Sequence, residues 1–127
     1  MSKESVQIIR DYFEATNAQD FARAMTFYAE DVELFVSGDA SLESGSLKGL
    51  EAVGQWFGEW FRSFKRGYHF EVEEVLDVGN TVLAVARHGG EGKVSGVVVE
   101  ATNAYVFRIE DGKIAFLGVF FTHPGLS

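Results

Sequence analysis

The sequence predicts an α+β domain in which N-terminal helices pack on one face of a strongly curved antiparallel sheet. Three observations lead there. The last third holds two long β-favouring runs, Val97 to Ile109 and Ile114 to Thr122, separated by Asp111-Gly112-Lys113. Such runs around a glycine turn read as an antiparallel hairpin. Apolar residues before residue 30 recur instead at helical spacing. Helices that precede consecutive strands, rather than alternating with them, give a layer of helix on sheet.

Each element follows from local chemistry. Ser2 or Ser5 can cap a first helix whose core face carries Val6, Ile9 and Phe13, with Tyr12 beside them. Asn17-Ala18-Gln19-Asp20 interrupts it. Asp20 then caps a short second helix with Phe21, Met25 and Tyr28, its charge suiting the helix dipole. Val32 to Val36 is a first strand, and the Gly- and Ser-rich stretch Ser37 to Lys48 is a loop. Leu50, Val53, Phe57 and Phe64 mark a third helix, with Trp56 and Trp60 four residues apart on an adjoining face. Gly54 and Gly58 weaken it by about 1 kcal/mol each relative to alanine, which suggests a close neighbour. Gly67 ends it. Tyr68 to Val78 and Thr81 to Arg87 form a second hairpin about Gly79-Asn80, and Gly89-Gly90-Glu91-Gly92 is a loose turn before the last pair. The expected order is ααβαββββ, in one domain over residues 1–127.

Composition narrows the partners. The chain is 46% hydrophobic, with 12 Phe, 4 Tyr and 2 Trp, enough to fill a core or to line a cavity. A net charge of -8 gives no electrostatic reason to bind nucleic acid or an anionic membrane. The one dense basic group is Arg62, Lys65 and Arg66. Without cysteine there is no disulfide, thiol nucleophile or thiolate metal site. No apolar signal or spanning segment follows the N-terminus, so a cytoplasmic location is expected.

Several landmarks together resemble the SnoaL-like proteins of the nuclear transport factor 2-like superfamily, which includes ketosteroid isomerase. They are Asn17-Ala18-Gln19-Asp20, Tyr28-Ala29-Glu30-Asp31-Val32, Gly49 with Glu51-Ala52-Val53, Gly79-Asn80-Thr81-Val82, Gly96, and Asp111-Gly112-Lys113-Ile114. The resemblance implies a cystatin-like cone: a bent sheet wrapped on a long helix, with an apolar pocket at the open end. It also implies a homodimer through the outer sheet face, where Val98, Val106 and Val119 are expected. It does not fix an activity, because this fold carries enzymes, binding modules and scaffolds.

The family's enzymes use a pocket carboxylate as general base, its pKa raised by apolar surroundings. The isomerase position, at the end of the first strand, corresponds to Phe35-Val36-Ser37 and holds no acid. The cyclase position, closing the last strand, falls near Thr122, again no acid. Asp39, in the loop after the first strand, is the nearest substitute base; a solvated loop aspartate is the alternative. His123, beyond the last strand, can reach a cone mouth. His69 and His88, at strand ends, are read as rim or surface residues. No histidine pair has zinc-ligand spacing.

Strand alternation places Val99, Ala101, Asn103, Tyr105 and Phe107 on one face and Arg108 on the other. A buried Asn103 needs a partner. Its amide and the Tyr105 phenol would anchor a polar ligand group, or would satisfy backbone groups or an interface. Trp56, Trp60 and Phe35 would form the apolar wall, with Thr122 at its end. Three functions fit these residues: cofactor-free proton transfer on a small apolar carbonyl compound, with Asp39 or a histidine as base; non-catalytic binding of a small apolar ligand; and a dimeric interaction module whose cone is filled by Phe.

Overall fold

The computed structural model describes residues 2–37, 46–65 and 67–121. Asp39, Thr122 and His123 lie outside the described residues. The elements are α1 (Ser2–Asn17), α2 (Phe21–Met25), β1 (Tyr28–Val36), β2 (Ser46–Lys48), α3 (Leu50–Arg62), β3 (His69–Val78), β4 (Thr81–Glu91), β5 (Val98–Glu110) and β6 (Lys113–Phe121). One six-stranded sheet runs in the order β2-β1-β6-β5-β4-β3. It is curved and does not close, and α1 and α3 pack on its concave side.

The helices form where the pattern demands. Ile9, Tyr12 and Phe13 of α1 enter the core, and Ile9 is fully buried. The Asp20 carboxylate caps α2 by accepting from Arg23 N–H at 3.1 Å. The break between α1 and α2 also protects the sheet. The Asn17 side chain donates to Phe70 O at 2.9 Å and accepts from Phe70 N at 2.7 Å. Gln19 Nε2 donates to Tyr68 O at 3.1 Å. A side-chain amide thus occupies the start of edge strand β3, where open backbone groups invite wrong pairing.

In the β5–β6 hairpin, Asp111 and Gly112 both have positive φ, 51° and 75°, and Glu110 faces Lys113. A two-residue turn of this kind matches the twist of its strands. Register shifts at Val72/Glu74 in β3–β4, at Arg108/Ile109 in β5–β6 and between Tyr28 and Glu33 in β1–β6 add local bend. These irregularities curve the sheet around Val32, Leu34, Val53, Val82, Phe107 and Ile114, all fully buried.

Several expectations are corrected. Tyr28 begins β1 instead of ending α2, because the second helix stops at Met25. Ser46–Lys48 is an edge strand, not loop, and pairs antiparallel with β1. β1 pairs parallel with β6, so the sheet is mixed. β4 continues through Gly89-Gly90-Glu91, where a turn was expected, and the ladder with β5 extends to Glu91↔Val98. Val119 lies on the concave face, opposite Tyr105, and not on the outer one. Of the α3 glycines, Gly54 meets the flexible end of Met25, at 3.1 Å from a Cβ built there. Gly58 faces only its own helix's Arg62.

Candidate functional site

The concave face and α3 enclose an aromatic chamber. Its sheet wall comes from period-2 alternation: His88 on β4, Asn103 and Tyr105 on β5, and Leu117 and Val119 on β6. Tyr68 and Phe70 close one side, and Tyr12 and Phe13 of α1 the floor. Trp56, Phe57, Trp60 and Phe61 of α3 supply the facing wall. The two indoles are parallel, with centroids 6.1 Å apart and planes 4° from each other. Tyr68 meets Trp60 edge to face at 6.3 Å. The chamber is small, 40 Å³.

Beyond Tyr12, Phe57 and Phe61 lies a larger hollow of 470 Å³, which shares these three walls. Phe21, Met25, Tyr28 and Gly54 line it, and Arg62, Lys65 and Lys93 stand along its border. Lys65 pairs with Glu91. The end of α3 is fixed to β4 by Lys65 N–H donating to Glu91 O and Lys93 N–H donating to Ser63 O, both at 2.8 Å.

A polar chain crosses the apolar chamber. The Trp60 indole hydrogen-bonds the Tyr68 phenol. That phenol hydrogen-bonds His88 Nδ1. Since an indole N–H only donates, the Tyr68 oxygen accepts from Trp60 and its own proton goes to Nδ1. His88 then carries its proton on Nε2. On the next strand Asn103 Nδ2 donates to the Tyr105 hydroxyl at 3.3 Å. His88 pairs with Ala101 and Asn103 with Ala86, so the imidazole and the amide are diagonal neighbours on one face. His88 is 4% exposed and Asn103 2%.

Burial sets the protonation states. It pushes the Tyr68 phenol up to about 12, against the pull of the Trp60 hydrogen bond. It lowers His88, with Asn103 pulling partly back, so the ring is neutral at pH 7. Burial raises Tyr105 as well, against the Asn103 hydrogen bond. Deeper, Tyr12 and Tyr28 share a short phenol–phenol hydrogen bond, and burial pushes Tyr12 up to about 12 and Tyr28 well above its usual value. Among the described residues, two polar atoms of the chamber complete no hydrogen bond of normal geometry: His88 Nε2 and Asn103 Oδ1.

The structure brings Trp56, Trp60, Asn103 and Tyr105 together in this chamber. It places Phe35 elsewhere: on the outer sheet face against Phe120, ring centroids 5.7 Å apart, because Leu34 and Val36 take the inward positions. Sequence reasoning missed His88 by ending β4 at Arg87. Continuing the alternation Val82, Ala84, Ala86 by one step points His88 inward and would have found it. His69 is exposed, as expected. Among the described residues no group of three or more His, Cys, Asp or Glu could hold a metal ion, and no helix is long and apolar enough to cross a membrane.

Comparison with known proteins agrees with this architecture. The Bal32a structure, from a soil-derived mobile gene cassette, superposes with a TM-score of 0.84 at 19% identity, covering 94% of this chain and 90% of that one. A cystatin-like-fold protein of unknown function from Xanthomonas campestris gives 0.82 at 22% identity, over 95% and 92%. A nuclear transport factor 2-like protein from Burkholderia thailandensis gives 0.78 at 26% identity, over 93% and 90%. No curated protein matches the chain in sequence. The family model for the SnoaL-like domain matches residues 9–117, and the chain belongs to that family.

Proposed function

We propose that the protein binds a small, largely apolar molecule beside α3, in the hollows that α3 forms with α1 and α2 and with the concave face of the sheet. The observation that carries this reading is the pair of adjoining hollows: 470 Å³ of apolar-walled space opening beside a buried chamber with convergent polar groups. A cone packed solid with Phe, as a pure interaction module would have, is disfavoured by that space. Trp56 and Trp60 face the chamber, so their emission reports occupancy. Titration with small aromatic compounds is expected to give saturable quenching and a rise in melting temperature. No change with any member of a varied panel overturns the reading.

A second reading, cofactor-free proton transfer, is favoured by the His88 Nε2–H. A neutral imidazole donor in an apolar site can stabilise an oxyanion as charge develops on a bound carbonyl. Asp39 and His123 remain the base candidates in this reading. Uptake of solvent deuterium at the acidic carbon of a bound ketone, followed by NMR, tests it. Exchange no faster than in buffer alone overturns the catalytic role and leaves binding intact.

A further inference from the structure

The larger hollow has walls of one chemistry and a border of another. Its walls are apolar: Phe21, Phe61, Phe57 and Tyr28 follow one another as near-parallel rings, tilted by 20°, 16° and 25° at successive steps. Gly54 and Gly58 lie one helical turn apart on the flank of α3 that lines the space. The border is cationic, and the fold puts the charges there. Just past α3 the chain forms an isolated antiparallel bridge with the chain just past β4, Phe64 opposite Gly92. Alternation across that bridge places Ser63, Lys65, Glu91 and Lys93 on one face. Lys65 pairs with Glu91. The Arg62 guanidinium lies back along its own helix over Gly58, with Nη1 3.1 Å from where a Cβ on that glycine would stand. Among the described residues, neither Arg62 nor Lys93 pairs with a carboxylate. Three cations against one carboxylate leave two positive charges in surplus, on a chain whose net charge is -8.

We propose, resting on the ligand-binding reading above, that the larger hollow takes a small amphipathic carboxylic acid, its apolar body against the aromatic wall and its carboxylate at the Arg62 and Lys93 border. The volume of 470 Å³ suits a small organic ligand. The charge has one place to go. Away from the border the hollow ends on Tyr12 and Tyr28, whose buried phenols hydrogen-bond each other. A carboxylate taken that deep would lose its hydration without gaining a cation. At the border the Arg62 guanidinium offers it a fork of parallel N–H donors, and Lys93 a second positive charge. A neutral ligand gains nothing from either cation, and an ammonium is repelled by both. Glu91, on the same face of the bridge, opposes a second negative charge, so a monoanion fits this border better than a phosphate dianion.

The test uses one apolar body with three head groups: naphthaleneacetate, naphthaleneethanol and naphthaleneethylamine, titrated into the full chain by calorimetry. The carboxylate is expected to bind about fivefold more tightly than the alcohol, a modest factor because both cations are exposed. The amine is expected to bind least. Raising the salt from about 0.02 M to about 0.5 M is expected to bring the carboxylate down to the alcohol, whose affinity hardly moves. The double variant Arg62→Gln/Lys93→Gln is expected to lose the carboxylate preference and still bind the alcohol. Arg10→Gln/Arg108→Gln changes the net charge equally at positions that do not line the hollow, and is expected to keep the preference. Melting curves verify that both variants fold. Equal affinity for all three compounds overturns the carboxylate assignment and leaves the binding reading standing. A preference that survives in Arg62→Gln/Lys93→Gln, or is lost equally in Arg10→Gln/Arg108→Gln, also overturns it. Saturable binding of none of the three overturns the binding reading and the assignment with it.

Discussion

The Tyr68 phenol donates to His88 Nδ1, joining the residue just before β3 to an inward-facing position of β4. This single bond decides which face of the imidazole works. Because Nδ1 accepts from Tyr68, the Nε2–H points to Asn103 and the chamber. Tyr68→Phe removes the donor and leaves Nδ1 buried without a partner, which costs about 1–3 kcal/mol of stability. Nitrogen-15 NMR of the wild-type ring is expected to show the Nε2–H tautomer, and Tyr68→Phe a mixture. A wild-type ring protonated on Nδ1 contradicts the direction of the chain.

Acid sensitivity follows from the same ring. Burial lowers the pKa of His88 below the ordinary 6.5. Below pH 6.5 the unfolded chain takes up a proton at this position that the folded chain refuses. The stability held by the neutral ring is therefore present above 6.5 and is lost as pH falls from there toward the folded value. Melting temperatures between pH 7.5 and 5.5 are expected to fall more steeply for the wild type than for His88→Gln. Equal slopes count against a buried, neutral His88.

The alkaline limb has the opposite origin. All four tyrosines are buried, and burial raises each phenol, Tyr12 and Tyr68 to about 12. Above pH 10 the unfolded chain ionises its phenols while the folded one does not. That stability is complete below 10 and is lost as pH rises toward the folded values. Phenolate absorbance at high pH is expected to appear only together with loss of fold. A phenol titrating near 10 in the folded protein would contradict this burial.

The outer sheet face predicts association. Leu76, Leu83, Val106, Gly118 and Phe35 form one cross-strand row through the registers of β3, β4, β5, β6 and β1. Leu76 is 48% exposed and Leu83 36%, with Phe120 beside them at 38%. A contiguous apolar row of this kind is unusual on a face left to water. We expect a homodimer through it at micromolar concentration, and Leu83→Lys to shift light scattering toward the monomer. A wild-type monomer rules the interface out.

How much of this was legible differs by element. The β5–β6 hairpin was readable because Asp111-Gly112 and strict alternation are both local signals, and they placed Asn103 and Tyr105 inward correctly. Trp56 and Trp60 were readable because their spacing puts both on one helical stripe. His88 was not, because two glycines after it look like a turn in sequence. In the structure those glycines continue the strand for a packing reason, since the Tyr68 and Phe64 rings lie over Gly90. Phe35 was misplaced by one residue of register, which in a strand exchanges one face for the other. The parallel β1–β6 pairing was beyond reach, because a contact between the first and last strands leaves no local trace.

The two kinds of glycine found here give opposite outcomes on substitution. In Gly58→Ala the new methyl meets only the guanidinium end of Arg62, at 3.1 Å. That flexible side chain can move, so the helical gain of about 1 kcal/mol prevails and stability rises. In Gly90→Ala the methyl lies 2.5 Å from Tyr68 Cδ2 and 3.3 Å from Phe64 Cδ1. Both rings are packed, and the Tyr68 ring is held by its bond to His88, so overpacking costs about 1–3 kcal/mol. The displacement also pulls the phenol from Nδ1, so Gly90→Ala is expected to give the same His88 mixture as that predicted for Tyr68→Phe. Chemical denaturation of both variants measures the sign, and nitrogen-15 NMR reads the tautomer. A Gly90→Ala protein as stable as wild type, with an unchanged ring, means that Tyr68 is not locked where β4 passes beneath it.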